Sequence, residues 1–374
     1  MPSQGTLPSQ GTLPRITEFQ LIDQIARRQR TAKKSPSVLL GIGDDAAAVR
    51  PRLGQITLLT TDTLIEKTHF DFSYSTFFDI GYKAVSVNLS DIAAMGGTPR
   101  FFLVSLGLTG KESARDIDQL YRGIEKASQE ANAFLIGGNI TRSSTDFFVS
   151  ITMVGEAPQK EIVTRSGGRP GDRLYVTGTL GDAAMGLHLR GGGSVPCEAS
   201  MTAPGAGVPV VGRGEVTTPN KSFMQKLALK HRRPKARFQE GAILGQNQIP
   251  SAMIDVSDGL SSDLSHLVKA SGVGVLLEED KIPISSSLRR HAKAIGEDPL
   301  YYALNGGEDY ELLFSVPESR IGRLEMLIQK RIIAVTPIGW LTEKRAGRVV
   351  RRGDGTVCKL EPLGYDHLKE GNTK

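Results

Sequence analysis

Cysteine is almost missing from this chain: Cys197 and Cys358 are the only two in 374 residues, far apart and in no CxxC pair. That spacing excludes a disulfide framework and gives no basis for a zinc site. No run approaches the roughly 18 consecutive apolar residues of a membrane span, and no apolar segment follows positive charge near residue 1. Neither a membrane span nor a secretory signal is therefore expected, and a cytoplasmic location is the default. The net charge of +6 comes partly from Lys230-His231-Arg232-Arg233-Pro234-Lys235-Ala236-Arg237 and from Lys344, Arg345, Arg348, Arg351 and Arg352. Neither cluster interleaves the aromatics on which bases would stack, so both read as solvated surface or helix-end charge rather than a nucleic-acid face. The sequence also lacks Gly-x-x-x-x-Gly-Lys-[Ser/Thr] and a Gly-x-Gly-x-x-Gly opening a helix, which removes the P-loop and the dinucleotide-binding turn. No Ser-His-Asp arrangement can be nominated either.

What remains is an ordinary globular composition, 39% hydrophobic and 23% charged, in a chain longer than one core usually supports. Two domains are expected. Residues 3–8 and 9–14 repeat Ser-Gln-Gly-Thr-Leu-Pro, a polar pair that buries nothing, so 1–14 is expected to be a disordered tail. Periodicity predicts a helix over Ile16–Arg30, a strand over Ile56–Thr61 ending at Asp62, and a helix over Phe77–Met95 closed by Gly96-Gly97-Thr98-Pro99. A strand over Arg100–Leu108, a helix over Glu112–Ala131 and strands over Phe134–Ile136 and Phe147–Gly155 follow. The Gly and Pro cluster at 156–172 marks a boundary, giving units of about 15–160 and 161–370, the second with a Gly-rich insert at about 190–219. Alternating strands and helices imply an α/β or α+β fold.

Seven short segments place acidic or amide groups where an element is expected to end. They are Gly41-Ile42-Gly43-Asp44-Asp45, Thr60-Thr61-Asp62, Asn88-Leu89-Ser90-Asp91, Gly137-Gly138-Asn139, Asp255-Val256-Ser257-Asp258-Gly259, Gly306-Gly307-Glu308-Asp309 and Gly364-Tyr365-Asp366. Each alone has a plain reading as an Asx-turn, a helix cap or a glycine turn. Asp91 is the misfit, since a carboxylate near a helix C-terminus opposes the dipole. Gathered in one cleft, several carboxylates repel unless cations stand between them, and Mg²⁺ takes oxygen ligands shared with phosphates. Magnesium-dependent phosphoryl chemistry is the resulting expectation. Ser257 and Asp258 are read as the N-terminus of a helix, where exposed N–H groups suit phosphate.

In order, these segments resemble the thiamine-monophosphate kinases, members of the PurM-like (aminoimidazole ribonucleotide synthetase) superfamily. The resemblance runs from about Glu18 to His367. It takes in Gly-Ile-Gly-Asp-Asp, Thr-Asp-Thr-Leu with His69 downstream, Tyr-Lys-Ala-Val-Ser-Val-Asn-Leu-Ser-Asp-Ile-Ala-Ala-Met-Gly and Arg165-Ser166-Gly167. Asp-Val-Ser-Asp-Gly-Leu, Gly-Gly-Glu-Asp-Tyr-Glu-Leu and Gly364-Tyr365-Asp366-His367 complete it. It implies a two-domain PurM-like fold, a homodimer joined through N-terminal sheets, and transfer of phosphate from ATP to thiamine monophosphate by direct in-line attack with several Mg²⁺ ions. It further implies that Asp45, Thr60, Thr61, Asp62, Asp91, Asn139, Asp255 and Asp258 bind metal. Tyr121, Gly138, Asn139, Arg165 and Ser257 are implied as ATP contacts, and His69, Glu308 and Tyr365 as substrate contacts. The family has Asp where this chain has Asn139, which implies weaker binding of one Mg²⁺. No residue is implied as an acid or base, because the attacking group is already an ionised phosphate. Two alternatives stand beside this reading: another ATP-dependent synthetase of the superfamily, and a nucleotide-binding relative without turnover.

Overall fold

Two capping boxes set the N-terminal half in place. The computed structural model describes residues 18–31, 35–42, 46–189 and 221–363. Asp45, Tyr365, Cys197, the 1–14 repeat and the 190–219 insert lie outside the described residues. The half opens with α1 (Glu18–Thr31), β1 (Val38–Leu40), β2 (Ala48–Val49) and β3 (Gln55–Ile65). It continues with α2 (Phe77–Ala94), β4 (Thr98–Leu108), α3 (Ala114–Ala131), β5 (Phe134–Arg142) and β6 (Phe148–Pro158). Thr76 Oγ1 accepts from the Asp79 N–H at 3.2 Å while Asp79 accepts from the Thr76 N–H at 3.0 Å, so α2 starts where its sequence says it should. Ser113 and Asp116 do the same for α3 at 3.3 and 2.9 Å, and Asn132 ends that helix in the left-handed region. A Cβ on Gly81 would stand 2.0 Å from the Leu120 carbonyl, and one on Gly123 would stand 2.0 Å from that of Phe78. The two helices cross at glycines because nothing larger fits.

The N-terminal sheet has strand order β3-β6-β4-β5, antiparallel except for β4 with β5. Its helix-covered face buries Phe102, Val104, Leu106, Val149, Ile151 and Met153. Its other face leaves Leu59 70%, Ile65 38% and Leu103 38% exposed. The strands run further than expected: β3 continues through Asp62 to Ile65 and β5 continues through Gly137-Gly138-Asn139 to Arg142. β-branched Thr60, Thr61 and Thr63 keep β3 extended, so Asp62 sits within a strand rather than at its end.

The C-terminal half holds β7 (Arg173–Thr177), α4 (Asp182–His188), α5 (Lys221–Arg232), α6 (Phe238–Gln246), β8 (Ala252–Val256), α7 (Leu260–Ser271) and β9 (Gly274–Glu278). α8 (Ser286–Ile295), α9 (Pro299–Asn305), β10 (Glu311–Val316), α10 (Glu318–Gln329), β11 (Val335–Thr342), β12 (Arg348–Arg351) and β13 (Val357–Lys359) complete it. Its seven-stranded sheet has order β13-β12-β9-β11-β7-β10-β8. Alternate residues of β7, β8 and β10 feed two cores: Leu174, Val176, Ile254, Val256 and Leu313 enter one, and Tyr175, Met253, Leu312 and Phe314 the other. The sheet is therefore buried on both faces, and the chain is a mixed α/β protein as its alternating pattern implies.

α2 joins the halves. It packs on α3, β3 and β6, and also touches α5, α6, β8 and β10. It is buried almost from end to end, with Asp79, Lys83, Ser86, Asn88 and Ser90 among its buried polar groups. Polar groups buried along a helix at such a junction require partners, and those partners define the site.

Candidate functional site

Asp62, Asp91 and Asp255 arrive from three elements, β3, α2 and β8. Thr60 and Asp62 lie two apart on β3 and so share its helix-facing side. Thr60 Oγ1 donates to Asp91 Oδ2, and Ser90 Oγ donates to Asp255 Oδ2 at 2.8 Å. Burial pushes Asp62 up to about 7, with the charges of Asp91 and Asp255 adding to the shift. Asp255 also rises to about 7, again through burial first and Asp91 second, against the opposing hydrogen bond of Ser90 and field of Arg165. Asp263 rises to about 8 through burial and the charges of Asp255 and Asp258. Asp91 thus opposes ionisation of both Asp62 and Asp255, and the hydrogen-bond partners of the corner's acids are hydroxyls, backbone N–H groups and, between Asp62 and Asp91, another carboxyl.

Four of the implied site residues stand elsewhere. Thr61 faces the uncovered side of the sheet, where its Oγ1 lies 3.2 Å from Thr152 Oγ1. Asn139 is paired in register with Ser105, Ser105 with Ser150 and Ser150 with Thr63, a polar row on that same uncovered side. Strand alternation thus turns the Thr61 hydroxyl and the Asn139 amide away from Asp62. Tyr121 is buried in the N-terminal core with Ile117, Leu120 and Ile124, where burial pushes its phenol well above the ordinary value. Gly138 lies against β4, and a Cβ there would stand 2.0 Å from the Val104 carbonyl. Its bareness serves strand packing.

The turn after β8 also differs from expectation. α7 begins at Leu260 with Gly259 as its cap, at φ 109°, a conformation only glycine adopts readily. The N–H groups of Ser257 and Asp258 both donate to Asp263 Oδ2 at 3.0 Å, so Asp263 occupies the anion-binding position expected to be open. The Ser257 carbonyl in turn accepts from the Glu308 N–H at 2.7 Å, which ties the Gly306-Gly307-Glu308 turn to the acidic corner. Glu308 itself has φ 70°, unusual for a side-chain-bearing residue, and the hydrogen bond holds it there. Arg165 is exposed at the edge, with its field reaching Asp255. His69 accepts from the Ile65 N–H through Nδ1 at 3.1 Å.

A second group of acids is matched to basic side chains, Lys83 of α2 and others from the cluster that reads in sequence as solvated charge. Lys83 Nζ donates to Glu308 Oε1 at 2.6 Å, and His231 Nδ1 stands 2.6 Å from Glu308 Oε2. Arg237 grips Glu311 through Nε at 2.5 Å and Nη2 at 2.7 Å, and Thr177 Oγ1 donates to the same carboxylate at 2.6 Å. Arg232 and Arg233 both reach Asp79 at the start of α2. His231 is 2% exposed, which no pattern of charge in the sequence foretold. The signal available was Pro234 and two aromatic-poor helices beside it, too weak to separate a buried cation from a solvated one.

Among the described residues, no three His, Cys, Asp or Glu side chains stand ready to enclose one metal ion. The chemistry of the acidic corner nevertheless fits a hard divalent cation, because its donors are oxygens held in low dielectric with their ionisation opposed. Asn88 adds a fully buried Oδ1 with no hydrogen-bond partner, on the same helix as Asp91. No helix among the described residues is long and apolar enough to cross a membrane.

Known proteins carry the same plan. The family model for the AIR synthase related protein N-terminal domain matches residues 43–157, and that for the C-terminal domain matches 169–352. The thiamine-monophosphate kinase of Bacillus subtilis (strain 168) is 34% identical over 354 residues, covering 94% of this chain and 99% of its own length. The crystal structure of thiamine-monophosphate kinase from Stenotrophomonas maltophilia K279a aligns with TM-score 0.73 at 32% identity, over 92% of this chain and 98% of that one. A structure described as AaThiL complexed with AMPPCP and TMP aligns with TM-score 0.69 at 32% identity, over 96% of this chain and 99% of that one. With the sequence, the fold and nearly the whole length of each relative in agreement, this chain belongs to the thiamine-monophosphate kinase family, within the AIR synthase related proteins.

Proposed function

We propose that this chain transfers the terminal phosphate of ATP to thiamine monophosphate, giving thiamine diphosphate by direct in-line attack with Mg²⁺. The observation that carries this reading is the corner where the charge of Asp91 opposes ionisation of Asp62 and Asp255, with no salt bridge from a cation to these three acids among the described residues. A relative 32% identical over nearly its full length is described with AMPPCP, an ATP analogue, and TMP, which supports the same pair of ligands here.

Asp62, Asp91 and Asp255 would hold Mg²⁺, and Asp258 and Asp45, the latter outside the described residues, are proposed as further ligands. When bound, Mg²⁺ supplies neutralisation of phosphate charge and alignment of attacking and leaving oxygens. Thr60 and Ser90 keep one oxygen of Asp91 and one of Asp255 engaged, which fixes their orientation. Arg165, exposed beside Asp255, is placed to meet phosphate from solvent. His69, Glu308 and Tyr365 are proposed for the acceptor, whose phosphate needs no base to become a nucleophile. Thr61 and Asn139 enter this scheme only from the uncovered face of the sheet.

That face is proposed as the surface on which two copies pair, since Leu59, Ile65 and Leu103 are exposed together there. The division of the chain at about residue 160, with an N-terminal unit supplying much of the metal site and a C-terminal unit completing it, belongs to the same proposal.

Incubating the protein with ATP, Mg²⁺ and thiamine monophosphate and following ADP release together with thiamine diphosphate by chromatography tests the reading. Equal release of ADP and diphosphate product is expected. Nucleotide binding without turnover, or ADP release that ignores thiamine monophosphate, would defeat it.

A further inference from the structure

Lys83 stands on the buried side of α2 with its side chain 3% exposed, and His231 on α5 with its side chain 3% exposed. Neither residue is among the metal, ATP or substrate contacts that the family resemblance implies. Both converge on Glu308, whose Oε1 accepts from Lys83 Nζ at 2.6 Å and whose Oε2 lies 2.6 Å from His231 Nδ1. Lys83 Nζ also donates to the His69 carbonyl at 3.3 Å. One ammonium therefore links two of the proposed substrate contacts, which come from opposite halves of the chain. The Tyr74 ring lies 5.8 Å from that of His231 and closes the far side of the group.

Such an arrangement is costly to bury. Taking Lys83 and Glu308 out of water is compensated only in close geometry, and here Lys83 Nζ and His231 Nδ1 each stand 2.6 Å from one oxygen of the carboxylate. A surface salt bridge would give little, whereas a pair this enclosed fixes one rotamer of Glu308. The backbone acts in the same direction, since the Glu308 N–H is tied to Ser257 and its φ of 70° is held off the common regions. α5 is anchored to α2 one turn earlier through Arg232 and Arg233 on Asp79, so His231 cannot easily drift from its place.

We infer that Lys83 and His231 are positioning residues for the acceptor substrate: they hold the Glu308 carboxylate, and Lys83 sets its distance from the His69 turn. This role rests on the proposed kinase reading, in which Glu308 and His69 face thiamine monophosphate. Lys83 and His231 touch Glu308 and leave the acidic corner to Asp62, Asp91 and Asp255. Their loss should weaken the acceptor site and spare the nucleotide.

Steady-state kinetics with each substrate varied in turn tests it. Lys83→Met is expected to raise KM for thiamine monophosphate about tenfold while KM for ATP and kcat change less than threefold. His231→Leu should do the same, and His231→Gln, which keeps an N–H donor, should stay within about threefold of the unsubstituted chain. In a Glu308→Gln background the further effect of Lys83→Met should shrink to less than threefold, because the charge it served is gone. If Lys83→Met does not fold, by circular dichroism, the two His231 variants decide alone. Unchanged KM for thiamine monophosphate, or a matching rise in KM for ATP, overturns the inference while leaving the kinase reading intact. An unsubstituted protein that makes no thiamine diphosphate removes both.

Discussion

Two sets of buried and half-buried acids lie along α2, and they are treated in opposite ways. Asp79, Glu308 and Glu311 each meet basic side chains of the chain: Arg232 and Arg233, Lys83 and His231, and Arg237. Asp62, Asp91 and Asp255 meet hydroxyls and each other. The contrast shows in their ionisation. Burial opposes ionisation of Asp79, yet hydrogen bonds from Thr76 and Arg233 outweigh it and hold the group below its ordinary value. Burial of Asp255 is reinforced by Asp91, and that group rises to about 7. The first set is finished by the protein; on the proposed reading the second would receive a cation from outside. The same helix thus carries ion-paired charge at its start and, on the proposed reading, metal-binding charge at its end.

The sharpest way to break this comparison is to remove one acid from each set. Asp255→Ala should reduce formation of thiamine diphosphate by at least ~10³-fold in kcat/KM, an effect of about 4 kcal/mol on the barrier. A loss under tenfold would return Asp255 to a structural role. Arg237→Ala should instead act on the fold, costing about 3–5 kcal/mol in urea denaturation by stranding Glu311, which is 1% exposed. Asp255→Asn should have the reverse sign without Mg²⁺, leaving stability unchanged or raised, since it removes an ion whose charge is opposed.

The pH dependence sharpens the point. Asp255 ionises near 3.8 when unfolded and near 7 when folded, so between those values the folded chain holds the extra proton. Stability from this group is present below about pH 4 and is lost as pH rises through 7, by at most ~1.4 kcal/mol per pH unit. Asp62 moves the same way. Denaturation of the Mg²⁺-free chain from pH 4.5 to 7.5 should show falling stability, and Asp255→Asn should flatten that slope. A slope that the substitution leaves untouched would deny Asp255 its raised value. The smallest effect belongs to Asn139→Asp: its place opposite Ser105 predicts less than a twofold change in half-saturating Mg²⁺. A tenfold fall would instead bring residue 139 to the metal through the paired sheet of a second copy.

Much of this could be read from the chain in advance, for reasons that differ from residue to residue. α2 and α3 announce themselves through Thr76 with Asp79 and Ser113 with Asp116, local signals that tertiary contacts did not override. Asp62, Asp91 and Asp255 were nominated by residue type and order, and the fold brings them into one another's fields. Lys83 was visible only as one polar position on a helix, because its partner Glu308 lies 225 residues away. His231 and Arg237 were hidden in a run that reads as solvated charge; burial is set by the acids they meet, which adjacent sequence does not specify. The placement of Asn139 and Thr61 was hidden for a simpler reason. Their strands extend further than the glycines and hydroxyls suggested, and each step along a strand reverses the face.

Melting temperature against Mg²⁺ concentration, at pH 7.5 with a non-hydrolysable ATP analogue present, tests the central claim most directly when the unsubstituted chain and Asp255→Asn are run side by side. A cation that completes the acidic corner should stabilise the unsubstituted chain, by about 2.7 kcal/mol at a hundred times its dissociation constant, and should leave Asp255→Asn nearly unmoved. Equal stabilisation of the two, or none of either, would contradict the account.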